Sequence, residues 1–342
     1  MDTIIRVSID FNAVAFMLGL GIIVLVCRLK FRDLTEKKIF VSLMVVDLAM
    51  CVSYILTLLR DGGVIPCDHF GAMVYETVLE ILINLFAVHW LIYVDYRMYH
   101  SMGHLRRVIF QMVLPVGIVV ILNIVNLFTG IFFYFDDDMI YCETGLYIIC
   151  DLIRVAYFIV SCIILSIHKK HDERMKFFNI MPFIVPAILY MSLYYISPFN
   201  TVTLGLTIGL ALIYTSMVNE QCYMDGMTGF YNRLYLDYLR GRMEKADYDL
   251  ESAMVFRLPE DKMESAAKLI TAQLPDDCDT LRYGKETVIT LARVNERAPL
   301  HMLSEDVEMS LEEAGIPVEI EYGLKKKKES CVDFLEGFLR KA

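Results

Sequence analysis

The sequence has few of the features expected of a soluble enzyme or a nucleic-acid-binding protein. Cations are in the minority, with 32 Lys and Arg against 42 Asp and Glu and a net charge of −10. Residues 223–342 alone carry 24 acidic and 17 basic side chains, and an acidic surface disfavours a nucleic-acid partner. The nine cysteines include no C-x-x-C pair, so the usual thiolate spacing for zinc is missing and we expect no metal site.

What the chain does have is an excess of long apolar segments. Hydrophobic residues make up 56% of it, and a bilayer core of about 30 Å needs roughly 20 helical residues. We predict an all-α transmembrane bundle in residues 1–222, followed by a soluble domain in residues 223–342. The first span has no basic region before it and no small-residue cleavage site after it, so we expect it to stay attached. The seven predicted spans are 10–28, 39–59, 73–95, 108–128, 145–168, 177–196 and 201–219.

The distribution of cations predicts the orientation of these spans. Loops 28–38, 97–107 and 169–176 hold twelve Lys and Arg, whereas the opposite side has only Arg6 and Arg60. Because short cytoplasmic loops collect cations, the N terminus is expected outside and the soluble domain in the cytoplasm. We therefore expect a multi-pass membrane protein, with the lipid bilayer as its first partner.

Charged side chains within the spans are candidate functional residues, because they are costly in lipid. Glu76, Glu80 and Asn84 recur every four residues and share one face of the third span. Asp151 and Arg154, three residues apart on the fifth span, can pair with each other or reach these carboxylates. A pocket for an extracytoplasmic ligand and simple interhelical hydrogen bonding both remain open. Other polar residues within the spans are Asp47, His89, Asn123 and Asn126.

The loop 129–145 is the longest outer connection and mixes aromatic residues with carboxylates. It fits either a lid that contacts an external ligand or an interfacial aromatic belt followed by a solvated acidic turn. Cys67 and Cys142 are both predicted outside, where they form either a disulfide or two free thiols. At the inner end of the third span, the step from Asp95 to Arg97 predicts a juxtamembrane ion pair.

Hydrophobic periodicity in the soluble part predicts a split βαβ arrangement. After a first helix the order is βαββαβ, which forms an antiparallel sheet with helices on one face, the ferredoxin-like fold. The predicted elements are helix 231–246, strand 252–258, helix 260–274, strands 279–283 and 286–292, helix 299–315, strand 317–323 and helix 330–341.

The start of this domain carries a motif that resembles a known family. Asp225, Thr228, Gly229, Asn232 and Arg233 match the D-x-L-T-G-L-x-N-R opening of GGDEF domains. Arg282-Tyr-Gly-Lys-Glu-Thr-Val288 lies where the family has R-Y-G-G-D-E-F. The resemblance covers about 223–342 and implies a nucleotidyl-cyclase-type domain of diguanylate cyclases, which condense two GTP molecules into cyclic di-GMP.

Departures from the family pattern imply that the domain is degenerate. The signature becomes Gly284, Lys285, Glu286, Thr287 and Val288, so a long cation replaces the second glycine and one of two acids is lost. Where the family's first strand ends in a metal-holding Asp, this chain has Arg257 and Pro259.

Two further departures concern the segment before the signature. The stretch before Arg282 is shorter than in the family. The inhibitory R-x-x-D is replaced by Asp276-Asp-Cys-Asp279, which has no Arg. Because phosphoryl transfer depends on metal ions, we expect no catalytic residues and no cofactor.

Together with the resemblance, these patterns predict a sensor of a bacterial inner membrane. Its cytoplasmic domain is expected to be inactive and to serve as an effector, nucleotide-binding or interaction module. Arg282, Lys285 and the run Lys325–Lys328 offer charges for a nucleotide or an acidic partner, although the run also fits a solvated loop. A homodimer or a cytoplasmic protein partner is implied by analogy with the family. One alternative is an active cyclase that uses GTP with Mg²⁺ or Mn²⁺; the other is a receptor or transporter with a scaffold tail.

Overall fold

The computed structural model describes residues 2–28, 34–99, 101–169, 181–196, 199–245, 250–275, 278–292, 296–326 and 328–340. They form two compact units, Met1–Met217 and Val218–Ala342. The division falls inside the last long helix of the first unit. Each unit has its own hydrophobic core.

The first unit is helical and contains one small hairpin. Six of its described helices are long and apolar enough to cross a membrane. The sixth helix in chain order is shorter, with 16 described residues, and the predicted span 177–196 begins outside the described residues. The prediction of seven spans is therefore supported for six. The elements are α1 Thr3–Arg28, α2 Leu34–Asp61, α3 His69–Tyr99, α4 Met102–Thr129, β1 Phe133–Phe135, β2 Tyr141–Glu143, α5 Ile148–Lys169, α6 Met181–Ile196 and α7 Val202–Gln221.

Helix α3 is the central element of the first unit, since it packs on α2, α4 and α5. The chain's single tryptophan, Trp90, lies on this helix and is fully buried. Its ring stacks on Phe183 of α6 with 3.7 Å between the ring centroids. Because large aromatic rings contribute most of the buried area in such a core, this stack joins α3 to α6.

Helices α6 and α7 approach closely at two glycines of α7. A Cβ on Gly205 would lie 2.5 Å from the Cβ of Tyr190, and one on Gly209 would lie 3.0 Å from the backbone oxygen of Phe183. Small residues four apart allow this kind of approach between membrane helices. The G-x-x-x-G spacing at 205–209 is therefore required by the packing of α6.

The second unit contains the α+β arrangement that periodicity predicts. Strand β3 pairs antiparallel with β5 and with β6, and β4 pairs antiparallel with β5, so the order across the sheet is β4-β5-β3-β6. This is the order of a split βαβ fold. Its elements are α8 Arg233–Glu244, β3 Ser252–Arg257, α9 Met263–Gln273, β4 Asp279–Arg282, β5 Thr287–Ala292, α10 Arg297–Glu313, β6 Glu319–Leu324 and α11 Cys331–Leu339.

Alternation along the strands explains the position of the core in this unit. Met254 and Phe256 of β3 are fully buried and belong to one cluster with Ile270 of α9 and Leu311 of α10. Helices α9 and α10 therefore cover one face of the sheet.

The expectation of helices on one face alone is wrong, because Ala253 is buried on the opposite face and a Cβ on its neighbour Gly323 would lie 3.2 Å from the Phe338 ring of α11. Gly315 lies in the turn between α10 and β6 and has a φ of +69°, a conformation that glycine adopts without strain.

Candidate functional site

A buried ionic cluster lies between α3 and α5 of the first unit. The Tyr147 hydroxyl donates to Glu80 Oε1 at 2.6 Å, and the Arg154 guanidinium pairs with Glu80 Oε2. Arg154 also donates to Asp151 Oδ1 at 3.1 Å. Of the carboxylates, Glu80 is buried, whereas the Asp151 side chain is 48% exposed. The structure thus brings together three of the five residues that the sequence predicts for a membrane pocket.

The other two predicted residues have different neighbours. Glu76 pairs with Arg60 of α2, with 3.7 Å between Nη2 and Oε1. Asn84 donates to the backbone oxygen of Glu80 at 2.7 Å, one turn earlier on the same helix. The side chain of Asn84 is therefore used within α3, and the stripe 76/80/84 divides between separate partners.

Arg60 also belongs to this region, although the spacing of charged residues within the spans did not predict it. Its guanidinium donates to Asp61 and to the backbone oxygen of Ala72 at 3.0 Å, and it lies 4.8 Å from the centroid of the Phe135 ring. Because Arg60 is 7% exposed, it is a buried cation at the end of α2. The available signal was the scarcity of cations on the outer side, where the sequence has only Arg6 and Arg60.

The hairpin of β1 and β2 covers this end of the bundle. Phe132, Phe133 and Phe135 are buried in a cluster with Ala72, Val119 and Tyr147, so the interfacial aromatic belt is wrong for these three rings. Asn126 of α4 fixes the start of the hairpin by accepting from the Phe132 amide at 2.7 Å. Asp136 closes its turn by accepting from the Ile140 amide at 2.8 Å. The acidic turn itself is solvated, as the second interpretation of the loop expects.

The carboxyl of Glu143 on β2 is close enough to the ionic cluster to be affected by its charges. Burial raises the pKa of Glu143, and the carboxylates of Asp151 and Glu80 raise it further, while Arg154 opposes them. A side chain on β2 therefore experiences the charges held on α3 and α5. The hairpin has the position of a lid over these groups.

Cys67 and Cys142 are both free thiols. Cys142 lies opposite the exposed Tyr134 in the hairpin register, on its outer face. Cys67 packs against the aromatic cluster beneath the inner face. Alternation along a strand therefore points the Cys142 side chain away from Cys67, which favours two free thiols over the disulfide.

At the opposite end of α3, Asp95 and Arg97, which the sequence predicts as an ion pair, each contact a residue on another helix. Arg97 donates to both carboxylate oxygens of Glu36 on α2, at 2.7 and 2.8 Å. Asp95 instead lies 3.3 Å from His104 Nε2 on α4. Neighbouring residues on α3 thus bind two different helices at this end.

In the second unit, the opening motif forms a turn that is fastened by its own side chains. Asp225 Oδ1 accepts from the Thr228 amide at 2.9 Å and from the Thr228 hydroxyl at 2.7 Å. Gly229 adopts a φ of +69°, and Asn232 caps α8 by accepting from the Leu234 amide at 2.9 Å. Burial raises the pKa of Asp225, but the Thr228 hydrogen bonds and the Arg282 guanidinium outweigh it and hold the pKa below its ordinary value.

The turn is also attached to β4. The Tyr231 amide donates to Thr280 O at 3.0 Å, the Arg282 amide donates to Tyr231 O at 2.7 Å, and the Arg282 side chain contacts Asp225 at 3.4 Å. Arg233 lies over the ring of Tyr283 at 5.1 Å. The motif segment 225–233 therefore lies beside β4, the strand that leads to the altered signature.

Residues of the altered signature form the tip of the β4–β5 hairpin. Gly284, Lys285 and Glu286 are exposed, and the Glu286 backbone oxygen accepts from the Leu258 amide at 2.8 Å. Thr287 and Val288 already belong to β5. The Arg282 side chain donates to the backbone oxygens of Gly284 and Lys285 at 3.1 and 3.4 Å, so it fastens the tip.

Arg257 occupies the end of the central strand next to this tip. It is opposite Thr287 on one side and Glu319 on the other. Its guanidinium lies 3.4 Å from Glu319 and 3.3 Å from Glu321. Both carboxylates at this end of the sheet therefore have a cation as their partner. In the part of the chain that the structure describes, no three His, Cys, Asp or Glu residues form a group that could hold a metal.

Two predictions fall partly outside the described residues. Asp276 and Asp277 are among the residues not described, whereas Asp279 accepts from the Tyr235 hydroxyl at 3.0 Å. In the lysine run, Lys327 is not described. Lys325 lies 3.3 Å from Glu251, so at least this lysine is used within the unit.

Comparison with known proteins gives a likeness to solved structures only. No protein-family model matches the sequence, and no curated protein matches it. A solved structure similar in part is the S helix-GGDEF-EAL region of LapD from Vibrio cholerae, bound to c-di-GMP. The identity is 12%, the TM-score is 0.31, and the match covers 35% of this chain. The chain spans 33%, about a third, of the length of that structure.

Proposed function

We propose that this chain is a signalling protein of a bacterial inner membrane. A polar cluster at the outer end of its helical bundle receives the signal, and a degenerate GGDEF-like domain in the cytoplasm passes it on without catalysis. The proposal is supported by six apolar helices followed by a small α+β domain, and by the motif resemblance in residues 225–233.

The observation that carries the absence of turnover is the ion pairing of Arg257. At the strand end where the resembled family holds a metal ion, a guanidinium lies 3.3 Å from Glu321. A divalent cation placed there would meet a fixed positive charge. Phosphoryl transfer depends almost entirely on metal ions and on neutralised phosphates. The arrangement therefore favours a domain that binds a nucleotide or a protein partner over one that makes cyclic di-GMP.

Lys285 and Arg282 suggest how such a domain would bind. Lys285 is exposed at the hairpin tip, and Arg282 is held beside it by Asp225. Two cations at one tip fit an anionic ligand, either a nucleotide phosphate or an acidic surface of a protein. A homodimer is compatible with the same role.

The decisive test is incubation of the purified full-length protein with GTP and Mg²⁺ or Mn²⁺. We expect no cyclic di-GMP by liquid chromatography and mass spectrometry. Appreciable product would establish the alternative, an active cyclase with unusual residues. A titration of the same protein with GTP and cyclic di-GMP then separates nucleotide binding from protein recognition, with the Lys285→Ala variant as the matched control for binding at the tip.

A second experiment tests whether the bundle signals at all. We expect Glu80→Gln to change amide hydrogen exchange in residues 225–233 of the full-length protein, because the cluster and the cytoplasmic unit are proposed to be coupled. Asp151→Asn, which alters an exposed member of the same cluster, serves as the control. A role of the tail as a mere scaffold predicts no change, and also predicts that receptor or transport activity survives deletion of residues 223–342.

A further inference from the structure

A second set of buried polar groups links α1, α2 and α7, apart from the cluster around Glu80. Asp47 of α2, Asn12 of α1, and Thr203 and Thr207 of α7 are all fully buried. The Thr207 hydroxyl lies 2.7 Å from Asp47 Oδ2, and the Thr203 hydroxyl lies 2.6 Å from Asn12 Oδ1. Polar groups at this depth are costly unless each finds a partner.

If Asp47 is ionised, this set has one hydrogen-bond donor too few. The Thr207 hydroxyl has one proton but two acceptors, Asp47 Oδ2 and the backbone oxygen of Thr203 at 2.9 Å. Asp47 Oδ1 is buried and has no hydrogen-bond partner in the described part of the chain. An ionised carboxylate would therefore have at most one shared hydrogen bond inside a membrane bundle, which is far too little to replace its hydration.

A protonated Asp47 gives each hydroxyl proton of Asp47, Thr203 and Thr207 an acceptor. Its Oδ2–H donates to Thr207 Oγ1, and Thr207 then donates to the Thr203 backbone oxygen. The Thr203 hydroxyl donates to Asn12 Oδ1, and Asn12 Nδ2 donates to the Ser8 backbone oxygen at 2.8 Å. Every hydroxyl proton has one acceptor, and all the bonds run in one direction. The unpartnered Oδ1 is then a neutral carbonyl oxygen, which costs much less than a charge.

Charged groups on the neighbouring helices have other partners. The titratable group nearest to Asp47 along its own helix is Cys51, which is buried one turn further on. Helix α1 contributes an amide to this set and α7 contributes hydroxyls. On α3 the two side chains that could carry a positive charge are bound elsewhere, His89 by Leu85 O and Arg97 by Glu36. The carboxyl groups of α3 also have their own partners: Glu76 pairs with Arg60, Glu80 with Arg154 and Asp95 with His104.

We propose that Asp47 is a proton-binding site, occupied in this structure, whose proton holds α1, α2 and α7 together. The ligand is a single proton taken up from water. Loss of the proton leaves a carboxylate that must be hydrated, and water can reach it only if α7 separates from α2. Because α7 continues along the backbone to Gln221, the site links proton occupancy to the helix that precedes the second unit.

Infrared difference spectroscopy of the full-length protein in lipid tests this directly. The spectrum of the wild type minus that of Asp47→Asn at neutral pH should contain the C=O stretch of a protonated carboxylic acid, shifted in D₂O. An ordinary Asp, with a pKa of about 3.9, would be ionised under these conditions. Carboxylate bands in place of the acid band would overturn the proposal.

Variants at Thr207 test the geometry of the site. Thr207→Val removes the acceptor of the Asp47 proton and should move the acid band to the higher frequency of a free carboxyl group. Thr207→Ser keeps the hydroxyl and should leave the band in place. If neither variant moves the band, the acid is elsewhere and the assignment to this site fails.

A bound cation would produce a different pattern. If Na⁺ rather than a proton neutralises Asp47, the thermal stability of the wild type should rise with Na⁺ relative to choline, and Asp47→Asn should abolish that rise. We expect no difference between the two salts. We also expect Asp47→Asn to keep most of the stability, because its amide can donate to Thr207 as the acid does.

Discussion

Removing Arg154 should destabilise the first unit strongly, because Glu80 would be left as an uncompensated buried charge. Side-chain exposure is 7% for Glu80 and 14% for Arg154. After Arg154→Met, Glu80 would keep only the Tyr147 hydroxyl as a donor. Breaking a buried pair from one side costs about 3–5 kcal/mol. At about 2–4 °C per kcal/mol for a unit of this size, the melting temperature should fall by about 6–20 °C.

Trp90 makes the measurement specific to this unit. It is the only tryptophan in the chain and is fully buried against Phe183. Its fluorescence in a thermal scan of the detergent-solubilised protein therefore reports unfolding of the bundle and is silent about the second unit. Asp151→Asn is the matched control, because an ion pair with a half-exposed carboxylate contributes only about 0–1 kcal/mol.

A double variant separates the pair from its surroundings. Glu80→Gln combined with Arg154→Met removes both charges, so it should cost less than the sum of the single variants by about 1–3 kcal/mol. The reasoning is refuted if Arg154→Met lowers the melting temperature no more than Asp151→Asn does. Additive effects of the two single variants would equally show that Glu80 and Arg154 do not depend on each other.

Three further predictions concern packing, pH and thiols. Gly209→Ala should lower the Trp90 melting temperature, because the new Cβ would lie 3.0 Å from the Phe183 backbone oxygen; Gly117→Ala, with nothing within 4 Å, should leave it unchanged or raise it by the helix propensity of alanine. The lowered folded-state pKa of Asp225 means that its stabilisation is present above about pH 4, the unfolded value, and is lost as the pH falls through the folded value. Wild type and Asp225→Asn should therefore differ in amide exchange of residues 225–233 at neutral pH and converge in acid; a constant difference would contradict this. Peptide mass mapping after thiol alkylation of the denatured protein without a reducing agent should show Cys142 modified, whereas a Cys142 that is modified only after reduction would indicate a disulfide.

Elements of the second unit were predictable because the signals that form them are local. Strands β3 and β5 are short apolar runs, and Gly315 followed by Pro317 marks the stop between α10 and β6. Each predicted element there matches an observed one within three residues at either end. The sheet order followed from the βαββαβ sequence of elements, since a split βαβ unit has few alternatives.

Pairings across the bundle were predictable only where helical spacing limits the choice. Glu80 and Arg154 stood out because charged residues within apolar spans need partners. The partner of Glu76 was not predictable, since Arg60 lies on another helix and looked like a residue of an outer loop. The hairpin aromatics show the same limit: their burial depends on the hollow formed by α3, α4 and the segment at Tyr147, which no local pattern encodes.

The two buried polar sets differ in how they can respond to a signal. Around Glu80 the single guanidinium of Arg154 is shared by two carboxylates, and Asp151 is half-exposed, so an anionic ligand can take the place of Asp151 while Glu80 keeps its cation. Around Asp47 the described partners are neutral, and the Asp47 carboxyl has no cation to exchange. Only a change in protonation, or entry of water, can alter that set. If both sets act on α7, a ligand at the first would bias the bundle weakly and reversibly, whereas proton loss at the second would separate helices. The stability of the wild type should therefore fall more steeply than that of Asp47→Asn as the pH rises above about 4, because only the wild type has a carboxyl group at this position that ionises on unfolding.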